Sequence, residues 1–158
     1  MNKISLQLVT HDNFTAVTKL SDTLTDDQKK CVATNLKSLA QAYLSPNDAW
    51  PRAIYLNDTP IGFIMLDLNP DDIPNNEKAY YLWRYMIAFD YQGKGYGKEV
   101  LDLIVNKCKE DQKDFLYTSC VMENDMPYQF YLKYGFIDTG VLEEDEEVLK
   151  LDISSKNT

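Results

Sequence analysis

The sequence predicts a mixed α/β domain in which antiparallel hairpins lead into a central β-α-β unit, and three observations carry that prediction. Two short apolar runs, 53–56 and 61–68, flank Asn57-Asp58-Thr59-Pro60, a hairpin signature. Residues 79–88 are almost continuously apolar and aromatic, the pattern of a strand buried on both faces. A glycine-rich turn at 92–97 then opens a helix with Val100, Leu103, Ile104 and Cys108 on one stripe, and a strand follows at 115–121.

The remaining elements follow in order. Ile4, Leu6 and Leu8 alternate with polar neighbours and read as a first strand. Residues 10–13 offer helix caps before Phe14, Val17 and Leu20. Residues 22–27 form a polar break. Val32, Leu36, Leu39, Ala40 and Tyr43 mark the expected inner side of a second helix, which Ser45-Pro46-Asn47 stops. Residues 69–76, with two prolines, are a loop. Pro127 suits a first helical residue, and Gly135 suits the residue just past that helix. Residues 136–142 and 148–153 close the chain as paired strands around the acidic run 143–147, which reads as a charged turn.

The length of 158 residues fits one domain spanning 1–158. Apolar residues at 44% and charged residues at 26% place it among ordinary globular chains and exclude a disordered or collagen-like one. A net charge of −9 and the lack of any Lys/Arg cluster argue against nucleic acid as a partner. The same charge suits a cationic substrate, which an acidic surface concentrates. Cys31, Cys108 and Cys120 are scattered, and His11 is the sole histidine, so no metal site is expected. Buried thiols in a reducing compartment are expected instead. No signal segment or membrane-spanning run is visible, so a cytoplasmic location is expected and a membrane partner is not.

The sharpest local feature is Gln92-Gly93-Lys94-Gly95-Tyr96-Gly97, between a buried strand and a helix. Backbone amides at such a helix start bind phosphate oxygens, and Lys94 and Lys98 add positive charge. A P-loop fails because Glu99 follows Lys98, and a dinucleotide fingerprint fails because Lys98 stands where its third glycine belongs. The spacing that matches is Q/R-x-x-G-x-G/A, at Gln92, Gly95 and Gly97. It resembles the coenzyme A loop of the GNAT acetyltransferase superfamily. A second segment, Asn124 followed by Phe130-Tyr131-Leu132-Lys133-Tyr134-Gly135-Phe136, is similar to that superfamily's late motif.

The resemblance implies the GNAT acyl-CoA N-acyltransferase fold, a central mixed and mostly antiparallel sheet flanked by helices. It implies acetyl-CoA as cosubstrate and no metal. Tyr85, Met86 and Ile87 match the strand whose backbone pairs with pantetheine. Gln92, Gly93, Lys94, Gly95, Tyr96, Gly97 and Lys98 match the pyrophosphate loop. Asn124, Asp125 and Met126 match the helix start beside the pantetheine arm. Tyr131 matches the general acid. Members of the superfamily are often dimers, which leaves a homodimer open.

The chemistry agrees with these placements. An amine with a pKa near ~10.4 must lose a proton before attacking a thioester, and a departing thiolate, pKa near ~8.5, gains from a nearby donor. The proton acceptor is not fixed by sequence. Polyamine acetyltransferases often carry a carboxylate nine residues before the loop's Arg/Gln, and here Trp83 holds that position. Asp67, Glu77, Glu123 or a water chain remain as substitutes. The segment from Leu82 to Lys98 is similar to bacterial spermine/spermidine (diamine) acetyltransferases. An acceptor site built from Trp83, Tyr80 and Asp67, with Trp50, Tyr81, Asp71 and Asp72 nearby, would suit a small cationic amine through carboxylates and aromatic faces. A protein amine, an antibiotic amine, or a non-catalytic coenzyme A-binding module stay open as alternatives.

Overall fold

The computed structural model describes residues 2–122 and 126–156. The strands are β1 (Ile4–Gln7), β2 (Ala49–Leu56), β3 (Thr59–Asp67), β4 (Ala79–Ile87), β5 (Phe115–Val121), β6 (Ile137–Glu143) and β7 (Glu146–Asp152). The helices are α1 (Phe14–Leu20), α2 (Asp26–Lys29), α3 (Asn35–Leu44), α4 (Tyr96–Glu110) and α5 (Met126–Tyr134). Among the described residues, the strands form one sheet in the order β1-β2-β3-β4-β5-β7-β6. Only β4 and β5 run parallel; every other neighbouring pair is antiparallel. The expected mixed, mostly antiparallel sheet with flanking helices is therefore present.

Turn chemistry sets the registers. Asn57 takes a left-handed φ of 55° in the two-residue turn that pairs Leu56 with Thr59. Glu144 and Asp145, with φ of 49° and 66°, do the same between Glu143 and Glu146. β2 starts at Ala49, earlier than its apolar run suggests, and contains Pro51. Proline is tolerated there because β1 pairs only with 53–56, so one edge of 49–52 is free.

Both faces of the sheet are covered. One large cluster joins Ile64, Leu82, Leu116 and Leu149 to Val100, Leu101, Ile104 and Val105 of α4 and Tyr131 and Tyr134 of α5. The other face packs Phe63, Met65 and Met86 against Val17 of α1 and Ala42 of α3. Ile64 is fully buried in the first cluster. Ile64→Ala should cost about 2–5 kcal/mol of stability, read as a lower urea midpoint with an unchanged slope.

The helical expectation for 32–43 needs a correction. α3 forms, and Val32 and Leu39 pack against the core as expected, but Leu36 and Tyr43 are exposed and Ala40 also faces outward, while Asn35, Ser38 and Ala42 are buried. Hydrogen bonds decide the orientation. The Asn35 side chain donates to the Val17 carbonyl at 2.8 Å, and its backbone N–H donates to Ser21 Oγ at 3.1 Å. A buried amide must be satisfied, so it outweighs an apolar stripe of modest size. The polar break at 22–27 likewise contains the start of α2, held by a capping box between Thr25 and Gln28. Cys108 and Cys120 are buried as expected, whereas Cys31 is half-buried.

Candidate active site at the split between two parallel strands

β4 and β5 pair only as far as Leu82 and Thr118, although β4 continues to Ile87 and β5 to Val121. Beyond that point the strands part. A bulge in the β3–β4 ladder lies at the same place: Met65 faces Arg84 and Leu66 faces Leu82, so Trp83 is the extra residue. The bulge reverses the side-chain alternation of β4. Before it, Tyr80 and Leu82 point to the α4 side; after it, Tyr85 and Ile87 do. Trp83 and Met86 pack on the α1/α3 side. Bulges next to a site re-aim side chains in this way.

A cavity of about 1310 Å³ runs through the split. Residues 82–87 form one lip and 118–121 the other, with their inner edges unpaired to each other. The 92–98 loop closes one end. Gly93 and Gly95 have φ of 72° and 88°, and a side chain at either would meet open space, so backbone conformation alone selects glycine there. Gly97 is different: a Cβ would lie 3.2 Å from Tyr85 Oη and 3.3 Å from Phe130 Cζ. Tyr85 Oη donates to the Gly97 carbonyl at 2.7 Å and fixes the helix start against the strand. The first amides of α4 have no acceptor inside the helix and no side-chain cap. Gln92 holds the loop rather than capping the helix. Its Nε2 donates to the Ile87 carbonyl at 2.8 Å, and its Oε1 accepts from Gln28 Nε2 at 2.8 Å.

Of the residues expected to form the cofactor site, Tyr85, Met86, Ile87, Gln92, Gly93, Gly95, Gly97, Lys98 and Met126 line the cavity together with Tyr131. Lys94 and Tyr96 lie beside it: the Lys94 ammonium sits 6.0 Å from the Tyr91 ring, and Tyr96 Oη accepts from Asn2. Asn124, Asp125 and the base candidate Glu123 fall outside the described residues.

Tyr131 is buried, packed edge-on against Phe136 at 5.2 Å and beside Phe130 at 5.4 Å, and turned to the cavity. Burial drives its phenol well above the ordinary tyrosine range, reinforced by Cys120 and only partly offset by the Thr118 hydroxyl. It therefore stays protonated throughout the working pH range. Burial also pushes the Cys120 and Cys108 thiols up to about 12, so neither is a thiolate nucleophile at neutral pH.

The expected acceptor residues divide. Trp83 and Asp67 line the cavity, as do Tyr81, Asp71 and Asp72. Tyr80 does not, because strand alternation turns it toward α4, where its hydroxyl donates to Asp111 at 2.7 Å. Trp50 is likewise drawn away; its ring sits between the Arg52 guanidinium at 4.1 Å and the Lys107 ammonium at 4.7 Å. Glu77 is engaged elsewhere too, bonded to Lys150 at 2.6 Å and to the Tyr117 hydroxyl.

The run at 143–147 is more than a charged turn, because Glu143, Glu144 and Glu146 line the cavity. β7 inserts between β5 and β6, which carries the turn to the open end of the split. That end gathers Asp67, Asp71, Asp72, Glu143, Glu144 and Glu146, while Lys29, Lys30 and Lys98 line the glycine-loop end. Burial raises the Glu143 carboxyl, and hydrogen bonding to Asp72 raises it further. Arg84 is the cation among the acids. It donates to Gln41 Oε1 at 2.9 Å and to the Trp83 carbonyl at 3.0 Å, while its Nε is buried without a partner.

Residues 18–136 match the model of the acetyltransferase (GNAT) family. The chain is 31% identical over 104 residues to the spermine/spermidine N(1)-acetyltransferase of Bacillus subtilis (strain 168), covering 61% of this chain. It spans 65% of the length of that relative. Among solved structures, the spermidine N-acetyltransferase of Vibrio cholerae in complex with CoA and spermine superposes with a TM-score of 0.69 at 15% identity, covering 96% of each chain. The PaiA N-acetyltransferase of Thermoplasma acidophilum in complex with coenzyme A superposes with a TM-score of 0.66 at 15% identity, covering 95% of this chain and 99% of that one.

Proposed function

The chain belongs to the GNAT acetyltransferase family, and from that premise we propose that it moves an acetyl group from acetyl-CoA to a primary amine of a small polycation, a polyamine, by direct attack in a ternary complex. The split between β4 and β5 carries the proposal. It exposes the inner edges of residues 83–87 and 119–121 to a cavity that is basic at one end and acidic at the other. An anionic carrier and a cationic acceptor can enter such a passage from opposite ends and meet at its middle.

Each residue then has a task. The amides of Gly93, Gly95, Tyr96, Gly97 and Lys98, with the α4 dipole behind them, hold the pyrophosphate; Lys94 adds long-range charge. Glycine at position 97 lets the backbone come close to the Tyr85 ring, so the loop and the strand stay in fixed relation. Gln92 keeps that loop on the end of β4. The backbone of Tyr85, Met86 and Ile87 pairs with the pantetheine arm as an added strand, with Met126 beside it and Asn124 and Asp125 assigned to the same arm. Acetyl-CoA supplies the activated acyl group. Tyr131 donates a hydrogen bond, and then its proton, toward the departing sulfur. Asp67, Asp72 and Glu143 pair with acceptor ammonium groups, and Trp83 and Tyr81 offer ring faces to them. Holding both reactants in line supplies a large share of the acceleration, up to roughly 7–11 kcal/mol in favourable cases.

The test is free-thiol release from acetyl-CoA with spermidine, an aminoglycoside and a lysine peptide compared side by side. Spermidine is expected to give the highest kcat/KM, falling as salt rises because the attraction is screened. Preference for the peptide, or tight acetyl-CoA binding without turnover on any amine, overturns the polyamine assignment.

A further inference from the structure

We propose that the Glu146 carboxylate is the general base that takes the proton from the acceptor ammonium. The inference rests on the acetyl-transfer reading above and supplies the residue which that reading lacks. Trp83, at the position where the family resemblance places a carboxylate, is a bulged residue packed toward α1 and α3. A carboxylate on a neighbouring strand can take its place.

Register singles out Glu146. It pairs with Val121, so it stands one strand from the β5 lip of the split. Glu143 lies one strand farther out, on β6, and is engaged with Asp72. Asp67 is on β3, behind β4, and accepts the Asn69 N–H at 2.9 Å. Glu146 instead reaches back to the lip, where its Oε1 accepts from Ser119 Oγ at 3.4 Å.

The two sheet faces separate base from acid. Along β5, Leu116 and Cys120 belong to the cluster that holds Tyr131, while Tyr117 and Val148 form a separate cluster on the opposite face. By strand alternation Ser119 shares the face of Tyr117. Glu146, bonded to it, and Tyr131 therefore flank the split from opposite sides. An amine entering over Glu146 attacks one side of the thioester while sulfur leaves toward Tyr131. In that step the C–N bond forms and the C–S bond breaks. One ammonium proton goes to Glu146, Tyr131 protonates the thiolate, and a second amine proton restores the tyrosine. The products are an amide, a free thiol and one proton for solvent.

The surroundings suit a base. Arg84 and Tyr81 face Glu146 from β4, Ser119 from β5, and Glu143 and Glu144 from its own hairpin, while Asp72 of the 69–76 loop faces Glu143 and Tyr81. Burial raises the Glu146 carboxyl above the usual range, the Ser119 and Arg84 contacts lower it, and Glu144 raises it again. The net rise makes it a better proton acceptor than a solvated glutamate.

The experiment measures thiol release by wild type, Glu146→Gln and Glu146→Asp with two acceptors: spermidine, and an amine whose pKa lies well below neutrality. With spermidine at pH 7, Glu146→Gln should lower kcat about 100-fold, with acetyl-CoA affinity by calorimetry unchanged. Its rate should climb about tenfold per pH unit, because only the free amine reacts. With the weakly basic amine, already deprotonated, Glu146→Gln should match wild type. Glu146→Asp should recover part of the spermidine rate. Equal losses on both acceptors, or no loss on spermidine, overturn the base assignment while leaving acetyl transfer intact. A wild type inactive on every amine removes the acetyl-transfer reading and the base together.

Discussion

Tyr131→Phe should lower kcat about 100-fold or more while acetyl-CoA affinity and the melting temperature stay close to wild type. The ring packs between Phe130 and Phe136, and phenylalanine preserves that packing. What is lost is one hydroxyl at the cavity wall beside Thr118 and Cys120. Among the described residues that hydroxyl serves no carboxylate and anchors no loop, unlike Tyr80 on Asp111 or Tyr134 on Asp102. Buried Thr118, which bonds to that hydroxyl, keeps its own bond to the Leu82 carbonyl at 3.1 Å, so the effect of removal falls on turnover. The direction of the pKa shift adds a second expectation. Because burial holds the phenol protonated far into the basic range, any fall of wild-type activity on the basic side must come from another group. Stopped-flow turnover with calorimetric binding separates these effects. A mutant with intact kcat removes Tyr131 from the acid role.

Local signals carry the backbone of the fold. The hairpin turn at Asn57, the apolar run of β4 and the glycine-rich entry to α4 each act over a few residues, so each is legible in the sequence itself. The features that are not legible there depend on partners distant along the chain. The inner face of α3 is chosen by Asn35 reaching Val17 and Ser21, and the apolar stripe of Val32, Leu36, Leu39, Ala40 and Tyr43 read alone does not show that Val32 and Leu39 pack inward while the other three face out. The β4 aromatics show the same limit. Alternation predicts that Tyr80 and Tyr81 face opposite ways, but not which one faces the cavity. The bulge at Trp83 then resets the alternation for Tyr85 and Ile87, and it exists only in the pairing with β3. Most consequential is the acidic run at 143–147. As a turn it is unremarkable, and its place at the cavity follows from β7 lying between β5 and β6. Acidic residues far apart in sequence, at 67–72 and 143–146, become one wall only through that topology.

Gly62→Ala should damage stability and acetyl-CoA binding together, although Gly62 lies on β3 and not in the glycine loop. Gly62 faces Ile87 across the β3–β4 ladder, at the end of the strand segment assigned to pantetheine. A Cβ there would lie 2.4 Å from the Met86 carbonyl oxygen, 3.1 Å from Ile54 Cδ1 and 3.2 Å from Ile87 Cδ1. Side-chain tips can rotate away, but a backbone carbonyl moves only with its strand. The Ala88 N–H is held on the Ile61 carbonyl at 2.7 Å, so the end of β4 has little freedom to give way without breaking its pairing. Overpacking of this kind costs about 1–3 kcal/mol, which should appear as a lower urea midpoint. The shift of Met86 and Ile87 should carry Gln92 with it, since Gln92 Nε2 is bonded to the Ile87 carbonyl, and the loop should lose its alignment with the strand edge. Weaker acetyl-CoA binding under fully folded conditions is the expected sign. Gly140→Ala provides the comparison: a Cβ there would meet nothing within 4 Å, but φ is 77°, so it should lower stability through backbone strain while leaving binding alone. If Gly62→Ala retained both its urea midpoint and its acetyl-CoA affinity, the close approach of β3 to the end of β4 would have no part in shaping the site.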